Sequence, residues 1–467
     1  MSREAALAAA AECVDSGAFQ RELARRVAIR SESQDPAQAA SLRAYVEQEI
    51  SASLAELGFD CRVFDNPVAG TGCGPFLIAR RREDDALPTV LMYGHGDVVR
   101  GQDASWTRGQ GPWTLAEDGD KLYGRGTADN KGQHSINIAA LAVALAARGG
   151  TLGFNVTWLF ETGEETGSPG LAEFCRLQRE ALAADALIAS DGPRLRADVP
   201  TLFLGTRGVA NFDLHLKLRE GAHHSGNWGG LLRNPGTVMA SAIASLMDAR
   251  GRILVPGLRP PPIPANVRAA LAGLQVGGGP NDPDIDADWG EADQTPIERV
   301  LAWNALEVLA MRTGNPDFPV NAIPAQAQAH LQLRFVVGTD IGRLREHVQS
   351  HLREHGFGDI QVSEPVVMQA TRLDPDNAWV RFALQSIAHS TGLTPALLPN
   401  LGGSLPNDVF AEGLGLPTVW VPHSYPACSQ HAPDEHLLKP VARQALQLMT
   451  GLFWDLGEQA SSLPRRH

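Results

Sequence analysis

Val90-Leu91-Met92-Tyr93-Gly94-His95-Gly96-Asp97 is a short apolar run that ends on a histidine and an aspartate. An uninterrupted apolar run bounded by glycine suits a strand buried on both faces. The arrangement recurs. Residues 156–160 precede Gly163-Glu164-Glu165-Thr166-Gly167-Ser168, and residues 186–189 precede Ser190-Asp191-Gly192. Another apolar run covers residues 76–79. Residues 36–57 repeat Leu42, Val46, Ile50, Leu54 and Leu57 on one helical face, and Gly58 supplies the stop. An Ala/Ile/Leu-rich stretch at about 133–147 reads as a second helix. Strands separated by helices predict an α/β fold, a mostly parallel sheet flanked by helices. Open sheets of this kind bind ligands at the carboxyl edge of their strands, where His95, Glu164 and Asp191 fall.

The texture changes near Gly205. Residues 211–218 alternate Phe212, Leu214, Leu216 and Leu218, and residues 326–336 alternate Ala327, Ala329, Leu331, Leu333 and Phe335. Period-two alternation predicts half-buried antiparallel strands. Helical patterns are expected at about 235–249 and 297–311, giving an α+β unit. Residues 256–290 are rich in Pro, Gly and Asp and read as a long excursion. From about Arg372 the α/β texture returns, with a helix at 380–390 and a strand at 418–421. The expected organisation is a catalytic domain of residues 1–205 and 371–467, interrupted by an inserted lid or dimerisation domain of residues 206–370.

The chain has 467 residues, too many for one ordinary core, which agrees with two domains. Its net charge of −13, with Arg80-Arg81-Arg82 the longest basic run, argues against a nucleic-acid partner. No apolar stretch of about 18 residues occurs, so no membrane helix is expected. Cys13, Cys61, Cys73, Cys175 and Cys428 are scattered and odd in number, against a disulfide framework or a thiolate metal site. The first ten residues lack a signal-peptide pattern. The expected location is the reducing cytoplasm.

One histidine and several carboxylates on one sheet edge form an inventory for two divalent cations. His95 is a candidate ligand, with Asp97 placed to hold its second ring nitrogen. Asp129 follows the turn Gly124-Arg125-Gly126-Thr127-Ala128 and could bridge two cations; an N-cap role is the plainer alternative. In Glu164-Glu165, one carboxylate can bind metal while the other moves protons; a solvated loop is the alternative. Asp191 also reads as a turn starter. His431, in Gln430-His431-Ala432-Pro433-Asp434-Glu435, competes with His423 and His436, and spacing does not choose among them. Each plain alternative holds singly. Together they require every motif to land on one sheet edge by accident.

Gly94-His95-Gly96-Asp97-Val98-Val99, Tyr123-Gly124-Arg125-Gly126 with Asp129-Asn130-Lys131-Gly132, Gly163-Glu164-Glu165 with Gly167-Ser168, and the His431 segment resemble one family in order and spacing. It is the di-zinc metallopeptidase family of carnosinases, cytosolic dipeptidases, glutamate carboxypeptidases, aminoacylases and succinyl-diaminopimelate desuccinylase. The resemblance covers nearly the whole chain. It implies a phosphorylase/hydrolase-like catalytic domain in which Asp129 bridges two metals. His95 and Asp191 would complete one site, Glu165 and His431 the other. Glu164 would be the general base, and the bond after Asp129 would be cis. Ala222-His223-His224-Ser225-Gly226 implies that His224 holds the scissile carbonyl oxygen. Asn321, Arg334, Gly403 and Ser404 would meet the substrate, Arg334 through its free carboxylate. Dimeric relatives imply a homodimer through the inserted domain, with His224 and Asn321 reaching the neighbouring copy's site.

The implied reaction is hydrolysis of an amide bond in a small substrate, most simply a dipeptide. The alternative is an N-acyl-amino-acid amidohydrolase, which needs the same groups. Zinc is the expected metal, and the same donors accept Mn²⁺ or Co²⁺. A catalytically silent binding protein would lack a ligand or the base, and every position is filled. Purely structural cations would sit in a closed site, unlike an open strand edge.

Overall fold

The computed structural model describes residues 1–70, 73–277 and 283–465. The chain forms two compact units. The first comprises Met1–Gly205, Leu373–Leu398 and Pro406–His467; the second comprises Thr206–Arg372 and Pro399–Leu405. The segment carrying Gly403 and Ser404 therefore clusters with the second unit.

The first unit is built on an eight-stranded sheet. Its order is Asp60–Phe64, Phe76–Arg81, Asn155–Glu161, Thr89–His95, Ala186–Ala189, Thr418–Trp420, Thr201–Phe203 and Ala396–Leu398. Asn155–Glu161, Thr89–His95, Ala186–Ala189 and Thr418–Trp420 run parallel to their neighbours among these four. The edge formed by Asp60–Phe64 and Phe76–Arg81 is antiparallel. The apolar runs are the central strands, and they are buried almost throughout. Helices Arg3–Asp15, Lys131–Ala147, Ala378–Thr391 and Lys439–Gln459 pack together and flank this core.

Two glycines shape the approach to the sheet edge. A Cβ on Gly132 would lie 1.8 Å from the Thr127 carbonyl oxygen, so only glycine lets the helix Lys131–Ala147 start tight against the preceding turn. A Cβ on Gly96 would lie 2.4 Å from the Tyr45 ring. Tyr45 begins a stretch of wider, π-helical winding, Tyr45–Ile50, inside the helical region expected at residues 36–57.

The second unit holds an antiparallel sheet in the order Ala305–Thr313, Gln326–Phe335, Gly208–Lys217, Gln361–Val362, with Val366–Met368 also paired to Gly208–Lys217. The alternating residues Phe212, Leu214, Leu216, Leu331 and Leu333 form one buried face with Met239, Leu246, Val348 and Leu352. These last four lie on helices Pro235–Leu246 and Leu344–Glu354.

One expectation needs correcting. The helical pattern at residues 297–311 is a helix only at Pro296–Leu301, started by a Thr295/Glu298 capping box. Asn304 then ends it, donating to the Leu258 carbonyl (2.8 Å) and accepting from the Val336 amide (2.9 Å). Ala305–Thr313 continues as an edge strand. Ala, Leu, Glu and Met are good helix formers, but the backbone ladder offered by Gln326–Phe335 overrides that preference. The excursion at 256–290 contains short helical turns at Pro256–Leu258 and Ala265–Leu271; its residues 278–282 lie outside the described residues.

Candidate metal centre

The carboxyl edge of the first unit's sheet gathers the candidate ligands. His95 is the last residue of Thr89–His95. Glu164 and Glu165 open a short 3-10 turn, Glu164–Thr166, just past Asn155–Glu161. Asp191 follows Ala186–Ala189. Asp129 precedes the helix Lys131–Ala147, and the peptide bond Asp129-Asn130 is cis.

Asp129 stands at the centre of two ligand groups. Its Oδ1 lies 3.0 Å from His95 Nε2, which is 3.5 Å from Asp191 Oδ2. Its Oδ2 lies 2.9 Å from His431 Nε2, which is 3.1 Å from Glu165 Oε2. His95, Asp129 and Asp191 thus form one group able to hold a cation, and Asp129, Glu165 and His431 form another. One oxygen of Asp129 serves each. Of the three histidines, His431 is the one that falls in a candidate group among the described residues. His423 is buried against Ser190 and Asn137, and His436 pairs with the Tyr425 hydroxyl.

The electrostatics are those of a site short of positive charge. Burial raises Glu165 and Asp191 to about 7, each further raised by Asp129. Burial lifts Glu164 well above the usual carboxylate range, with Asp191 and Glu165 adding to it. Hydrogen bonds to Asp129 and Glu165 carry His431 up to about 10. Burial opposes ionisation of Asp129, but bonds from His431 and His95 hold it below its ordinary value. Clustered carboxylates that retain protons are what divalent cations displace. Glu165 Oε1 and Asp191 Oδ2 are buried without a hydrogen-bond partner among the described residues. Oxygen and imidazole donors aimed at a common point fit zinc, manganese or cobalt.

Asp97 does more than orient His95. The ring Nδ1 lies 3.1 Å from the Asp97 carbonyl and 3.4 Å from its Oδ1, which turns Nε2 toward Asp129 and Asp191. The same carboxylate accepts the backbone N–H of Glu164 (3.2 Å) and of Glu165 (3.1 Å). One buried side chain thus aligns a ligand and the turn that carries the two glutamates.

The sequence matches the profile of peptidase family M20/M25/M40 over residues 91–455. That span includes all five ligand candidates and Glu164. The chain belongs to peptidase family M20/M25/M40. A beta-Ala-His dipeptidase of Rattus norvegicus is 36% identical over 409 residues, covering 82% of this chain and 80% of the relative. A cysteinylglycine-S-conjugate dipeptidase of Corynebacterium striatum is 26% identical over 377 residues, 78% of each. Among solved structures, the di-peptidase Dug1p from Saccharomyces cerevisiae superposes with a TM-score of 0.74 at 22% identity, covering 98% of this chain and 99% of that one. This last likeness establishes a shared fold. As an M20 member the chain is a metallohydrolase acting on peptide bonds.

Around this M20 site the structure adds residues to which sequence reasoning gave no role. Glu435 is buried and accepts four hydrogen bonds. They come from Arg125 Nη1 (2.8 Å) and the backbone N–H groups of Gly126 (3.1 Å), Ala128 (2.8 Å) and Asp129 (3.1 Å). It clamps the turn that presents Asp129. Gln133 Nε2 donates to the carbonyls of Ala128 (2.9 Å) and Gly192 (3.2 Å), tying the Asp129 and Asp191 loops to one helix. Gln430 Nε2 donates to Asp129 Oδ2. The run of polar residues Lys131, Gln133, His134, Ser135 and Asn137 at the start of an Ala/Leu-rich helix was the available signal for Gln133. Glu435 was visible only as part of the His431 motif.

The remaining candidates lie in the second unit. His223–His224 pairs with Ala322–Ile323, and the Ser225 N–H donates to the Asn321 carbonyl at 2.9 Å, so His224 and Asn321 are neighbours; both are exposed. Arg334 Nη1 donates to Ser404 Oγ at 3.1 Å, and its Nε to Gln332 Oε1 at 3.0 Å. Gly403, beside Ser404, is exposed.

Proposed function

We propose that this protein hydrolyses the peptide bond of a dipeptide carrying a free carboxylate, using two divalent cations shared through Asp129 and Glu164 as general base. The observation that carries the reading is the division of Asp129 between His95/Asp191 and Glu165/His431, with Glu164 beside them and committed to neither group. Dipeptidases among the relatives support the substrate class.

His95 and Asp191 would hold one cation, Glu165 and His431 the other, and Asp129 both. When bound, such a pair acidifies water to near neutral pH and polarises a carbonyl; zinc suits these donors. Glu164, whose carboxylate burial makes more basic, would in its ionised form accept the proton of the attacking water and deliver it to the leaving amine. His224 would donate to the oxyanion of the tetrahedral intermediate. Arg334, with Ser404, Gly403 and Asn321, would receive the substrate's terminus, its forked guanidinium matching a carboxylate.

We also read the second unit as the face of a homodimer. Val308, Leu309 and Met311 on the edge strand Ala305–Thr313 are exposed apolar side chains beside an unpaired backbone edge, which invites a second copy. Among the described residues no helix is long and apolar enough to cross a membrane, and the five cysteines are free, which supports a reducing, cytoplasmic setting.

A screen of dipeptides against N-acyl amino acids, with added Zn²⁺, Mn²⁺ or Co²⁺, tests the reading. Turnover that requires a free α-amino group supports the dipeptidase. Cleavage of acylated amino acids alone would replace it with the amidohydrolase.

A further inference from the structure

One buried carboxylate beside the ligand groups is not used by the proposed chemistry. Glu161 ends the strand Asn155–Glu161, opposite His95 in the sheet ladder, and is 1% exposed. A carboxyl group is costly to bury, so one kept in a core is held there by its bonds. Glu161 Oε1 accepts from two hydroxyls, Tyr93 Oη at 2.7 Å and Ser168 Oγ at 2.9 Å. Its Oε2 is buried and has no hydrogen-bond partner among the described residues. The hydrogen bonding of this side chain is thus confined to one oxygen and two hydroxyls.

Tyr93 is a fixed point of the core. It lies on Thr89–His95, just before His95, and its ring is held edge-on against Phe410 and Trp420, at centroid distances of 5.0 and 5.8 Å. Ser168 closes the turn that carries Glu164 and Glu165. Its backbone N–H donates to the Gly163 carbonyl at 3.0 Å, and the Gly167 N–H donates to the Glu164 carbonyl at 2.8 Å. Ser168 has a φ of 52°, in the left-handed region that a β-carbon disfavours. Such a residue persists where its surroundings enforce it, and the bond to Glu161 is the side-chain contact that does so.

Asp97 secures only the start of this turn, through the adjacent N–H groups of Glu164 and Glu165. Two neighbouring bonds define a hinge, and a third at the far end fixes it. That third point is Ser168 on Glu161. Resting on the reading of Glu164 as general base, we propose that Glu161 is a positioning residue. Through Ser168 it sets the turn that aims Glu164 at the attacking water and Glu165 at its cation. The role needs an acceptor oxygen and no charge. Glutamine should therefore fill it, and methionine, of similar length, should not.

The test uses enzyme saturated with Zn²⁺ and a dipeptide that the wild type cleaves. Glu161→Met should lower kcat by about 10²-fold, the cost of misplacing a reacting group by about 1 Å, with KM largely unchanged. Ser168→Ala removes only a half-buried hydroxyl and should lower kcat by about tenfold; it gives the answer should Glu161→Met fail to fold. Glu161→Gln should keep most of the wild-type kcat. Calorimetric titration with Zn²⁺ should show weaker binding in Glu161→Met and Ser168→Ala, because Glu165 rides on the same turn. Wild-type kcat and zinc affinity in Ser168→Ala, with only the Tm lowered in Glu161→Met, would make Glu161 a packing residue and overturn the proposal. A Glu161→Gln variant as slow as Glu161→Met overturns it too. Should the wild type cleave no dipeptide, the dipeptidase reading fails instead, and the zinc affinity of Ser168→Ala then decides the positioning role by itself.

Discussion

At the scale of single residues, the chemistry depends on side chains that never touch a substrate. Glu435 neutralises Arg125 and caps three backbone N–H groups of the turn ending in Asp129. Glu435→Ala removes all four bonds and strands a buried guanidinium, and breaking such a pair costs about 3–5 kcal/mol. Urea denaturation should show that loss, and metal titration should show weaker binding because Asp129 is no longer held. A variant with unchanged stability and metal affinity would make Glu435 an onlooker. Asp97 works similarly, aligning His95 with one end and the Glu164 turn with the other. The candidate ligands His95, Glu165 and Asp191 were legible in the sequence because each closely follows an apolar run, whereas Asp129 was marked only by its Gly-rich turn and His431 could not be chosen by spacing over His423 and His436. Glu435 and Gln133 were not legible. Their role is a hydrogen bond to a loop distant in sequence, and nothing local announces it.

At the scale of elements, the parallel core was readable because buried strands such as Thr89–His95 are apolar without interruption. The error at residues 297–311 came from the reverse situation. Ala305–Thr313 is an edge strand exposed over most of its length, so no inward periodicity marks it, and its composition favours a helix. The π-helical winding at Tyr45–Ile50 was equally unmarked in the sequence. The exposed edge carries its own prediction. Met311→Lys and Leu309→Lys place charge beside the open ladder and should convert a dimer to monomers in sedimentation velocity, leaving the thermal transition of each subunit in place. A wild-type protein that sediments as a monomer at micromolar concentration contradicts the dimer.

At the scale of the whole molecule, the candidate metal centre lies on the sheet edge of the first unit, and its titrating groups couple to that unit's stability. Glu165 and Asp191, raised to about 7 chiefly by burial, hold protons more tightly in the folded than in the unfolded chain. Their contribution is therefore complete below the ordinary carboxylate range and is lost as pH rises toward 7. His431, raised to about 10 by Asp129 and Glu165, acts in the same sense at higher pH. Asp129 has the opposite sign, but its window lies below its ordinary value of 3.8. The buried His134 and His423, with pKa values depressed by burial, act in the opposite sense over the same interval. Relative to a Glu165→Gln, Asp191→Asn variant, which shares that contribution, the metal-free protein should thus lose thermal stability between pH 5 and pH 7.5, and added Zn²⁺ should raise the Tm of the wild type more at the upper value. A metal-free Tm that climbs relative to that variant over this interval would show that protons are not standing in for cations.

The most direct measurement is made on Glu164→Gln, with metal content and turnover determined on one sample. The two-cation account predicts two metal ions per chain, as in the wild type, and dipeptide hydrolysis reduced by about 10²–10⁴, the usual worth of a general base. Undiminished turnover with both metals bound would contradict it.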